Sequence, residues 1–77
     1  MLGNEILNML KEEISNIEYE RYIKLLKYDE KSSKSDLLIY KAPNPLIANW
    51  VKTKYSKKIA RLYEIKTGIK PQIEIVV

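Results

Sequence analysis

This chain of 77 residues contains no cysteine, no histidine and no phenylalanine, and only two glycines. Without thiols there is neither a disulfide framework nor a thiolate metal site, so a chain this short must be held by its apolar core alone. The side chains most used as nucleophiles and general bases near neutral pH are also missing. The acids that lie together, Glu12 with Glu13 and Asp29 with Glu30, read as ordinary solvated pairs and not as a cation site. Gly3 and Gly68 are too far apart to build the G-x-x-x-x-G-K-[ST] loop that cradles nucleotide phosphates. No apolar run approaches the roughly 20 residues of a membrane helix. Met1 to Glu5 lack the basic and apolar regions of a secretory leader. These absences predict one cytoplasmic, non-catalytic domain over residues 1–77, with no metal, no cofactor and no membrane contact.

Apolar residues make up 45% of the chain, which suffices for a small core, and six tyrosines and one tryptophan supply the large side chains. The formal charge of +4 is unevenly spread. Seven of the 14 Lys and Arg and eight of the 10 Asp and Glu fall in residues 1–43, so the excess of positive charge belongs to residues 44–77.

Leu2, Ile6, Leu7, Leu10 and Ile14 follow helical spacing and predict a first amphipathic helix, with Lys11, Glu12 and Glu13 on its wet face. Ser15-Asn16-Ile17-Glu18 has the S-x-x-E form of a capping box and opens a second helix to about Leu26, whose buried stripe is Tyr19, Tyr22, Ile23 and Leu26. Lys31 to Ser35 reads as a turn between a weak strand near Lys27–Glu30 and a strong one near Leu37–Ala42. Asn44 and Pro45 then form a helix start, since asparagine caps well and proline needs no donor at the first position. Ile47, Trp50, Val51, Tyr55, Ile59, Leu62 and Tyr63 predict one long helix stopped by Gly68, roughly 35 Å in length at 1.5 Å per residue. Gln72 to Val77 closes the chain as a strand. The order is α-α-β-β-α-β, an α+β domain with a small three-stranded sheet packed by helices. Its final strand-helix-strand passage is expected to lay the long helix on one face of the sheet.

The pattern Glu18-Tyr19-x-x-Tyr22-Ile23-x-x-Leu26, then Leu37-Leu38-Ile39-Tyr40-x-Ala42-Pro43-Asn44, then Trp50-Val51-x-x-Lys54-Tyr55, closed by Ile73-Glu74-Ile75, resembles the N-terminal domain (domain I) of the bacterial replication initiator DnaA family. The most specific piece is Ala-Pro-Asn followed by the Trp-Val-x-x-Lys-Tyr helix, and the resemblance covers nearly the whole chain. It implies a KH-like fold. It also implies a non-enzymatic interaction domain that recruits the replicative helicase DnaB, docks regulators of the DiaA/HobA type and contributes to initiator self-association at the origin. Weak binding of single-stranded DNA is a further implied property, while ATP binding belongs to another domain of such initiators. The stretch from Lys27 to Asp36 is most similar to the branch that uses a HobA-type partner. The early tryptophan that many members use for self-association is absent; that stretch holds Leu2, Gly3 and Ile6.

Several residues carry a functional reading beside a structural one. Glu18 is the closing acid of the capping box and matches a helicase-contact position of the family. Leu46, in the first turn after the Asn44 cap, is either an exposed anchor for a partner or a staple on the hairpin. Leu2, Ile6 and Leu10 form an apolar stripe for another helix if they do not all enter the core. Lys52, Lys54, Lys57, Lys58 and Arg61, opposed only by Glu64, are either a phosphate-attracting face or a solubilising one. The GXXG loop by which KH domains clamp a nucleic-acid backbone is absent, so a free-standing module of this kind would bind single strands weakly and without sequence preference. The aromatic residues read as core by their spacing, Trp50 above all.

Overall fold

A computed structural model describes residues 2–77. The first helix, α1 (Leu2–Lys11), buries Ile6, Leu7 and Leu10 as its spacing predicts, with Glu5 at its positive end and Lys11 at its negative end. α2 (Asn16–Glu18) starts on the expected cap: the Glu18 amide donates to Ser15 Oγ at 3.1 Å. It then widens into a π-helical turn, Tyr19–Ile23, in which the Lys24 amide reaches back to the Tyr19 carbonyl at 2.8 Å. In that wider turn Ile23 is buried in the core while Tyr22 faces α3.

The sheet has the order β1-β2-β3. β1 (Lys27–Tyr28) pairs antiparallel with β2 (Leu37–Lys41), and β3 (Gln72–Val76) lies parallel to β2, with Leu38 beside Ile73 and Tyr40 beside Ile75. Alternation along β2 sends Leu38 and Tyr40 into the core. The Tyr40 hydroxyl is satisfied there by the Gly3 carbonyl at 2.9 Å. Gly3 leaves room for the Tyr28 ring, with which a Cβ at that position would clash.

The single long helix expected after Pro45 is two helices, α3 (Pro45–Lys54) and α4 (Ser56–Thr67), joined at Tyr55. Asn44 caps α3 as foreseen, accepting from the Ile47 amide at 2.9 Å, and Gly68 ends α4 in the left-handed region at φ 78°. Between them Tyr55 takes φ −118° and ψ −11°, away from helical values, although its amide still reaches Val51 and its carbonyl still accepts from Ile59. Thr53 and Ser56 beside it favour a helix weakly, and the buried Tyr55 side chain is held by a group from α2. Periodicity within the helix carries no trace of that distant tether, so the sequence pattern is that of one unbroken helix. The bend lets α3 lie on β3 and the π-helical turn while α4 packs on α1 and β3. Glu5 pairs with Lys66 and Glu13 with Arg61, so α1 and α4 run antiparallel. No helix among the described residues is long and apolar enough to cross a membrane.

Candidate functional site

Helix α3 buries Ala48 and Val51 and leaves the residues between them outside. Leu46 and Trp50 are four positions apart and so share one helix face; they are 78% and 40% exposed. Trp50 therefore corrects the expectation that it would be core. Its position follows Leu46, not the Val51–Tyr55–Ile59 stripe, and a strict projection of the helix separates it from Val51 by about 100°. Its ring stacks on Tyr22 from the π-helical turn, with centroids 5.1 Å apart and planes 24° apart. Lys54 Nζ lies 5.0 Å from the centre of the Trp50 ring, a cation on an aromatic face.

Beside this aromatic pair stands Glu18. Ser15 donates its hydroxyl to Glu18 Oε1 at 3.2 Å, and the Tyr55 hydroxyl donates to Glu18 Oε2 in a short hydrogen bond. The Tyr55 bond, those from Ser15 and the charge of Lys54 outweigh partial burial and hold the Glu18 carboxyl below its usual range, so it is ionised at neutral pH. Burial, then the bond to the Glu18 anion, pushes the Tyr55 phenol up to about 12, with the nearby Trp50 side chain acting the other way. Leu46, Trp50, Tyr22, Lys54 and Glu18 thus give an apolar and aromatic surface flanked by one cation and one anion. That composition belongs to a protein contact more than to a pocket for a small molecule.

The other expected residues are placed differently. Ile6 and Leu10 have no exposed surface and Leu2 is half-buried against the core, so the proposed apolar stripe on α1 is corrected: Ile6 and Leu10 are core residues and unavailable to a partner. A chain this small needs both to close its interior. Asn44 is exposed at the cap of α3, two positions before Leu46. The basic residues are all exposed but divided by the bend at Tyr55. Lys52 and Lys54 lie on α3, and Lys57, Lys58 and Arg61 on α4. Lys57 and Arg61, with Ala60, Glu64 and Lys70, line an open groove of about 340 Å³, and Arg61 is also paired with Glu13 at 3.2 Å. Sequence reasoning missed Tyr22 and Tyr55 as members of the site, because both sit at core spacing and their roles come from contacts across the fold.

The topology defines a KH-like α+β domain, with an apolar and aromatic surface exposed on α3. The chain belongs to the DnaA N-terminal domain family, whose model matches residues 4–64. It is 61% identical over 75 residues to the chromosomal replication initiator protein DnaA of Wolinella succinogenes and 55% identical to that of Campylobacter curvus. In both cases 97% of this chain is aligned, and it spans 17% of the relative's length. Among solved structures, a chain from a HobA–DnaA (domain I–II) complex of Helicobacter pylori superposes with a TM-score of 0.88 at 30% identity, covering 100% of this chain and 98% of the other.

Proposed function

We propose that this domain is the protein-docking module of a replication initiator, presenting the α2–α3 face to a HobA/DiaA-type regulator and to the replicative helicase DnaB. The observation that carries this reading is the pair Leu46 and Trp50, exposed on one face of α3 beside the ionised Glu18. It gains support from the Helicobacter pylori relative of the same fold, which was solved in complex with HobA. An exposed tryptophan is among the side chains that most often form interface hot spots, and Leu46 extends the apolar area beside it. The domain catalyses nothing in this reading, needs no cofactor and works in the cytoplasm. It acts by tethering: weak contacts, including self-association, become effective when several initiators gather at the origin and raise one another's local concentration.

An NMR titration of the labelled chain with Helicobacter pylori HobA, and separately with a DnaB helicase, tests the proposal. Shifts are expected at Glu18, Asn44, Leu46 and Trp50. Leu46→Ala is expected to leave the melting temperature unchanged, since that side chain is in solvent, and to weaken binding on the order of tenfold. Unchanged affinity in that variant would remove α3 from the interface.

A second reading, weak and non-specific binding of single-stranded DNA, is favoured by Lys57, Arg61 and Lys70 around the groove on α4. Its mark is steep salt dependence, with shifts along Lys52–Arg61 that vanish at high ionic strength. Apolar docking through Leu46 and Trp50 would persist there.

A further inference from the structure

We propose that Tyr55 is the positioning residue of the docking face: a buried side chain whose hydroxyl fixes the Glu18 carboxylate for a basic group on the partner. This rests on the docking role proposed for the α2–α3 face. Tyr55 is only 2% exposed, so it offers almost nothing to a partner directly, yet it is bonded to Glu18 and lies beside Tyr22. Its hydroxyl donates to Glu18 Oε2, its ring lies 6.4 Å from Tyr22, and its backbone is the bend that ends α3 one turn after Trp50. Glu18 and Tyr55 are 37 residues apart in the chain, so this bond ties α2 to the α3–α4 junction across the fold.

The geometry gives the tie a specific consequence. Ser15 occupies one carboxylate oxygen of Glu18 and Tyr55 the other, and each carboxylate oxygen accepts about two hydrogen bonds. One acceptor direction per oxygen therefore remains. With both oxygens anchored, those directions are set before any partner arrives, and a free glutamate side chain would have to lose its rotamer freedom on binding. Such a pre-set, ionised carboxylate is suited to a bidentate guanidinium or an ammonium group. Lys54 lies over the Trp50 ring and its charge also reaches Glu18, so it would repel a partner cation that approached across Trp50.

The test is a double-substitution cycle on this chain, with HobA of Helicobacter pylori as the probe and affinity read by titration calorimetry. Tyr55→Phe removes one oxygen and keeps the buried ring, and Glu18→Gln keeps the shape of the acid without its charge. Each is expected to weaken binding by three- to tenfold, and the double variant no further, because the two groups act through one bond. Fully additive losses, or a Tyr55→Phe variant that binds as well as the unsubstituted chain while Glu18→Gln does not, would overturn the proposal and leave the docking face intact. Failure of the unsubstituted chain, and of Leu46→Ala alike, to bind HobA would instead remove the docking reading and this inference with it. If Tyr55→Phe does not fold, as its amide spectrum would show, carbon-13 titration of Glu18 in the unsubstituted chain decides. A carboxyl that titrates like a free glutamate has no fixed tie to Tyr55, and the proposal falls.

Discussion

Asn44 and Gly3 illustrate how single positions in this domain are set by unrelated physics. The Asn44 side chain satisfies the Ile47 amide at the open end of α3, a donor that otherwise has no partner within the helix. Asn44→Ala is expected to cost about 1 kcal/mol, read as a lower urea midpoint with an unchanged slope. Gly3 is constrained by space, since the Tyr28 ring lies where its Cβ would be. Its carbonyl also satisfies the buried Tyr40 hydroxyl, so displacing the α1 backbone to make room would strain that bond as well. Gly3→Ala is therefore expected to cost about 1–3 kcal/mol in a thermal or urea melt, the range for forcing a methyl into a packed interior. An unchanged midpoint would show that α1 can move away from β1 without loss.

At the scale of elements, the helices end for local reasons and bend for a distant one. Gly68 holds φ 78°, which L residues with a Cβ adopt at a cost, and nothing crowds the position. Gly68→Ala should thus cost about 1 kcal/mol through backbone conformation alone, visible as faster amide exchange in the last turn of α4. The bend at Tyr55 behaves differently. Its hydrogen bonds to Val51 and Ile59 persist, and what fixes it is the anchored tyrosine side chain. The same bend divides Lys52 and Lys54 from Lys57, Lys58 and Arg61, so what reads as one basic helix is two shorter charged faces. On the α3 side of it, Trp50 stacks on Tyr22.

For the whole molecule, the titrating groups of the Glu18–Tyr55 pair set opposite limits on stability. The folded carboxyl of Glu18 titrates below its unfolded value, so its contribution is present above the usual carboxylate range and is lost as the pH falls through the folded value. Tyr55 is raised from 10.0 to about 12, so its contribution is complete below pH 10 and disappears as the pH rises through about 12. Tyr40, raised further by burial, acts in the same direction. Melting temperatures of the unsubstituted chain are expected to fall at both extremes. Glu18→Gln should flatten the acid limb, and Tyr55→Phe should shift the alkaline limb upward; parallel curves for both variants would show that neither group is coupled to folding. The surface pairs Glu20–Lys24, Glu13–Arg61 and Glu5–Lys66 are exposed and contribute little to either limb.

Much of this domain is legible in its sequence because the signals are local. The Ser15 and Asn44 caps, the Gly68 stop, the alternation along Leu37–Lys41 and the apolar spacing of α1 each depend on residues a few positions apart, and each predicts its element. The motif from Ala42 to Tyr55 carried the family as well. What the sequence alone could not decide was which apolar and aromatic residues a small interior has room for. Ile6 and Leu10 went entirely inside, while Trp50 was left at the surface. Nor could it decide that Tyr55, 37 residues from Glu18, would sit at the break between α3 and α4 and bond that carboxylate. Those outcomes depend on packing α2, α3 and α4 around one core, where distances through space replace distances along the chain, and only the tertiary structure fixes them.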